Sequence, residues 1–206
     1  MKRGFKAEAE RIATDTRLEL ELKCTDRLDP IDLAKHLEIP VVAMGELESH
    51  HSERSDFSHY FSATDPDSFS AVTVFVGNHR RIIVHNENHH PHRQASNISH
   101  EISHTLLEHV PTAMVGSNGQ RFWDAEMEQE ANWLGAALLV PREGALELAR
   151  GGATAIEISA HYGVSQSLGT WRVVQTGIYG ESGRRRTRFR SEAEHHSVVI
   201  PNSIPV

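Results

Sequence analysis

The chain has 206 residues, a formal net charge of −7, 38% hydrophobic and 24% charged residues, which suits an ordinary globular protein with one good core. The acidic balance argues against general nucleic-acid binding, and no apolar run approaches the roughly 20 residues that span a bilayer. A single cysteine, Cys24, excludes an internal disulfide and suits a reducing compartment. The first residues, Met1-Lys2-Arg3-Gly4, are basic but lead into no apolar h-region, so no signal peptide is expected and a cytoplasmic setting is.

Phe5, Ala9, Ile12, Ala13 and Leu20 recur at helical spacing and predict a helix over about the first 20 residues. Asp29-Pro30 opens a second, short helix, with Asp as cap and Pro in the first turn. Ile39 to Val42 reads as a strand. Residues 46 to 69, rich in Ser, Asp and His, read as a loop whose His50-His51 pair is solvated rather than ligating. Ala71 to Val76 and Arg81 to His85 read as two strands of a hairpin turning near Gly77-Asn78.

Pro91 suits a first helical turn, and Ala95, Ile98, Ile102 and Leu106 then form an apolar stripe. Offset from that stripe lies His100-Glu101-Ile102-Ser103-His104, an H-E-x-x-H motif. Residues four apart on a helix stand one above the other, so the two histidines can grip one metal ion, with Glu101 beside the open position as a base for water. The motif predicts a zinc-dependent hydrolase, a peptidase first of all. With 15 histidines in the chain a chance match is easier than usual, and a surface helix with two incidental histidines is the bland alternative. The helical context favours the metal.

Such a site needs a third protein ligand. A third histidine six residues beyond His104 would fall at Val110, and His109 is one residue short. Asp124 to Leu138 reads as another helix, capped by Asp124, buried through Met127, Ala131, Leu134 and Leu138, and ended by Pro141. Glu126 and Glu130 share one face and Glu128 is expected to point elsewhere, so spacing alone leaves Glu126 and Glu130 as rivals.

Residues 110 to 122, with Ser117-Asn118-Gly119, read as a loop. Thr154 and Glu157 form a capping box for a helix to Tyr162; Gly163 suits a left-handed turn, and Ser165 caps a helix to about Thr176. This pattern is helix-turn-helix-like. Its second helix carries one cation, Arg172, so a hairpin packed on the core is preferred to a DNA reader. Arg172, His161 and Tyr162 are also within conceivable reach of a substrate. The run Arg184-Arg185-Arg186-Thr187-Arg188-Phe189-Arg190 is expected to be solvated tail. Trp123, Trp133 and Trp171 are expected in the core or a cleft wall.

Two segments together resemble the ImmA/IrrE family of zinc metallopeptidases: His100 to His104, and Glu130-Ala131-Asn132-Trp133-Leu134-Gly135-Ala136-Ala137-Leu138-Leu139-Val140-Pro141. The strand Arg81 to Asn86 and the segment Leu37 to Val41 extend the likeness, which covers roughly residues 5 to 178. One departure is Ser103, where many members carry Gly. The resemblance implies an α+β fold, a zincin-like peptidase core with a small sheet over residues 1–145 followed by a helix-turn-helix-like segment over 146–180; the Arg run separately marks 181–206 as a flexible tail. The resemblance also implies one Zn2+ per chain held by His100, His104 and Glu130, with Glu101 as general base. The edge of the hairpin at 71–85 is a natural place for an extended substrate strand. The implied substrate is a helix-turn-helix transcriptional repressor, cut in a stress or mobile-element response. The alternative is a DNA- or repressor-binding regulator, or a toxin–antitoxin component, with a non-catalytic metal site.

Overall fold

A computed structural model describes residues 1–46, 69–76, 80–109 and 124–178. The expected loops around His50-His51 and Ser117-Asn118-Gly119, the turn at Gly77-Asn78, Trp123 and the Arg-rich tail lie outside the described residues. The architecture is α+β. The order is α1 (Phe5–Glu19), α2 (Pro30–His36), β1 (Val41–Ala43), β2 (Ala71–Val76), β3 (Arg80–His85), α3 (Pro91–Leu106), α4 (Ala125–Leu139), α5 (Arg142–Arg150), α6 (Ala155–Tyr162) and α7 (Gln166–Gln175).

Local chemistry sets most of these boundaries. Asp29 accepts from Ile31 N and Asp124 from Glu126 N and Met127 N, which satisfies amides that the first helical turn leaves unpaired. Thr154 and Glu157 form the full reciprocal capping box, and Ser165 caps α7. Gly163 ends α6 at φ 66°, a conformation that costs glycine nothing. The cap of α3 is less familiar: His90 Nδ1 accepts from His92 N at 3.2 Å, with Pro91 in the first turn. The first strand runs from Val41, two residues later than expected, because Ile39 is buried in the main core just after α2.

The three strands form a sheet in the order β1-β3-β2, with β1 parallel and β2 antiparallel to β3. Thr73 stands opposite Ile83 and Val72 opposite Val84. Alternation therefore sends Ile83 into the main core beside Ile98 and Ile102 of α3. Val84 goes to the other face, in a smaller cluster with Met44 and Phe69.

The main core gathers α1 through α7 without a break, from Phe5 and Ala9 to Val173 and Ile178. Trp133 is buried and meets the half-buried Trp171 edge to face at 5.2 Å. Arg172, expected as the one cation of α7, is wholly buried: its Nε donates to Val140 O and its guanidinium pairs with Glu10. His161 contacts the Thr25 carbonyl, and Tyr162 donates to the Cys24 carbonyl at 2.8 Å. All three residues tie the last two helices to the N-terminal part of the chain; Arg172 and Tyr162 are buried and do not face outward, while His161 remains exposed.

Candidate metal centre

The site is made where α3 crosses α4. The buried face of α3 carries Ser99 and Ser103 as well as Ile98 and Ile102. Ser103 Oγ turns back to the Ser99 carbonyl at 2.7 Å, so its hydroxyl is satisfied within the helix. Opposite them, α4 presents Gly135: a Cβ there would lie 3.2 Å from His100 N and 3.3 Å from the Ser99 carbonyl oxygen. This contact of backbone on backbone brings the two helices close enough for short side chains to meet across them.

Glu128 is seven residues before Gly135, on the same face of α4. Its carboxylate is 3.2 Å from His100 Nε2 and 3.5 Å from His104 Nε2, and the two imidazole nitrogens are 3.1 Å apart. These three side chains are the one cluster of metal-ligating groups among the described residues, and each is 22% exposed. Donor atoms at the ~2.0–2.1 Å usual for zinc with tetrahedral angles lie ~3.3 Å from one another. One donor atom from each residue can be chosen so that all three lie within 4.8 Å of one another, a spacing that suits one ion, and two imidazoles with a carboxylate are a donor set that zinc favours.

Glu128, expected to point elsewhere, faces the two histidines. Glu130, expected as the third ligand, is not brought to His100 and His104. It is buried on another face of α4, where Oε1 accepts from Lys2 N at 3.1 Å and Oε2 lies 3.7 Å from His109 Nε2. Glu126 pairs with the Met1 amino group at 2.9 Å. The reason is that α4 lies between two helices. The face carrying Glu128, Ala131 and Gly135 meets α3, while Glu126, Glu130 and Trp133 turn toward α1 and its Lys6, which sits over the Trp133 ring. The signal available in the sequence was the small-residue stripe at 131 and 135, which marks the close helix contact.

Glu101 leans away from the cluster toward the sheet, and Thr73 Oγ1 of β2 donates to its Oε2 at 2.6 Å. Thr73 was not singled out in the sequence; it shares the α3-facing side of the sheet with Ile83. On the far side of the cluster, His104 Nδ1 is 2.9 Å from His109 Nδ1.

Charge in the site is mutually adjusted. Burial alone would raise the Glu128 carboxyl, but its hydrogen bonds to His100 and His104 outweigh that and bring it down to about 2. Burial alone would lower His100, yet the hydrogen bond it donates to Glu128, the charge of Glu101 and the Asn132 side chain together raise it above its ordinary value. His109 is lowered, first by burial and then by the neighbouring His104, against the pull of Glu130.

A helix bearing H-E-x-x-H, backed by a short sheet and faced by a glutamate from a second helix, is compatible with a metal-dependent peptidase site of the zincin kind. The sequence profile of the IrrE N-terminal-like domain, peptidase family M78, matches residues 34–168. The chain belongs to that family of metallopeptidases, as the resemblance implies. No curated protein and no solved structure matches it. No described helix is long and apolar enough to cross a membrane.

Proposed function

We propose that the protein is a zinc-dependent endopeptidase whose metal is held by His100, His104 and Glu128, with Glu101 as the general base. The observation that carries this is the cluster of His100, His104 and Glu128, with the two imidazole nitrogens 3.1 Å apart and the Glu128 oxygens Oε2 and Oε1 at 3.2 and 3.5 Å from them, and with the Glu101 carboxylate next to it on α3. When bound, the ion supplies Lewis acidity, lowering the pKa of a water toward ~7 and polarising the scissile carbonyl. Glu101 takes the proton of the attacking water and passes it to the leaving amine. Thr73 occupies one Glu101 oxygen, which fixes the carboxylate plane and leaves the other oxygen for the proton. Among the described residues β2 has β3 on one side and no strand on the other, so a substrate in extended form can align beside Thr73 and reach the site.

The substrate class we assign is a helix-turn-helix transcriptional repressor, cut in a linker or a locally unfolded segment. The support is the likeness of His100 to His104 and Glu130 to Pro141 to the ImmA/IrrE pattern. The burial of Arg172 weakens the competing DNA-reading role for α6 and α7. The experiment is to mix zinc-loaded protein with repressors encoded beside its gene, and separately with unfolded casein. One or two cuts in a repressor are expected. Rapid casein digestion with the repressors left intact would replace this reading with that of a general peptidase.

A further inference from the structure

We infer that His109 is a positioning residue for the metal centre: it accepts a hydrogen bond from His104 Nδ1–H, so that His104 presents Nε2 to the ion, and it is itself held by Glu130. The inference rests on the zinc reading proposed above, and it gives a role to the two buried groups that reading leaves unused.

The argument is one of proton placement. An imidazole that binds a metal through Nε2 carries its proton on Nδ1, and that N–H needs an acceptor. His104 Nδ1 faces His109 Nδ1 at 2.9 Å, an ordinary hydrogen-bond distance. His109 Nδ1 must then be bare, and a neutral His109 carries its proton on Nε2. That nitrogen faces Glu130, whose Oε2 is 3.7 Å away. The His104 proton has an acceptor in His109, the His109 proton is directed toward a carboxylate, and no two donors collide. His109 and Glu130 are 9% and 5% exposed, so water does not readily stand in for either. The Glu130 contact is longer than a hydrogen bond; its part is electrostatic, and it is anchored from the other side by Lys2 N. His109 comes after the end of α3, and its own amide bonds to the His104 carbonyl, which sets the ring beside that residue.

The test compares His109→Asn with His109→Leu. The Asn Oδ1 can stand where Nδ1 stood and accept the same proton; Leu keeps the bulk and cannot. Zinc affinity is read by competition with a chromophoric chelator. His109→Leu should bind zinc ~10- to 100-fold more weakly, the usual cost of losing an outer partner of a ligating histidine, and His109→Asn should recover most of it. In the unmodified zinc-loaded protein, nitrogen-15 NMR should find His104 protonated on Nδ1 and His109 on Nε2, a readout that survives even where a variant fails to fold. Asn no better than Leu, Leu equal to the unmodified protein, or His109 protonated on Nδ1 would each overturn the inference. His104→Ala separates the two levels: if it leaves zinc affinity unchanged, the zinc reading fails and the inference with it. If it abolishes binding, only the His109 results decide.

Discussion

The carboxylate of Glu128 stands 3.2 Å from Nε2 of His100 across the close contact of two helices. The three glutamates at the start of α4 have three different sets of partners, and on the proposed reading elemental analysis should separate them. Glu128→Ala should lose the stoichiometric zinc, since it removes one of three ligands. Glu130→Ala should weaken binding less, through His109, and Glu126→Ala should leave it unchanged. A protein that keeps its zinc without Glu128 but loses it without Glu130 would restore the assignment that the resemblance alone implies.

Gly135 is the residue that sets the spacing of α3 and α4. A methyl group there would press on the Ser99–His100 peptide at 3.2 to 3.3 Å, and backbone cannot swing aside as a flexible side chain can. Gly135→Val should cost about 1–3 kcal/mol, the usual range for overpacking, and should lower zinc affinity by moving Glu128 away from the histidines. Denaturant unfolding and chelator competition check the two effects. A variant as stable and as zinc-avid as the parent would show that the helices are not held by this contact.

On the proposed reading Glu101 is the base and not a ligand, so its contribution can be isolated. Glu101→Gln should remain folded and zinc-bound while peptide hydrolysis falls ~10²- to 10⁴-fold, the usual worth of general acid–base catalysis. Thr73→Val should give a smaller fall with zinc content unchanged, and Thr73→Ser, which keeps the hydroxyl, should restore the rate. Zinc loss in Thr73→Val would assign Thr73 to the metal rather than to the base.

The parts of this fold that were legible in the sequence are those set within a few residues. Asp29, Thr154 and Ser165 announce helix starts through their own side chains, and His100 and His104 are brought together by helical geometry alone. The alternation of β2 and β3 is equally local. What was not legible depends on which neighbour each face meets. Glu128 and Glu130 are chemically identical and two residues apart, and only the position of α1 and α3 on either side of α4 decides between them. Arg172 reads as a surface cation until Glu10, distant in sequence, is placed against it. Thr73 has no motif at all; its role comes from the strand register opposite Ile83.

The pairing of His100 with Glu128 also sets a pH dependence in the metal-free protein. His100 is raised, so its stabilising effect is whole below its unfolded value of ~6.5 and is lost as pH rises through the higher folded value. Glu128 is lowered from 4.5 to about 2, so its effect is whole above 4.5 and is lost as pH falls toward about 2. Both contributions are complete only between those limits. His85 and His109, lowered by burial, act with the opposite sign, losing stability as pH falls below their unfolded value. The informative quantity is therefore the difference in melting temperature between the chelated parent protein and chelated Glu128→Gln. That gap should be largest near pH 5 to 6 and shrink toward pH 8, as His100 gives up its proton. Zinc affinity of the parent should climb over the same interval, because the ion needs the same nitrogen without its proton. A gap that widens steadily from pH 6 to pH 8 would mean that the two side chains are not paired in the metal-free protein.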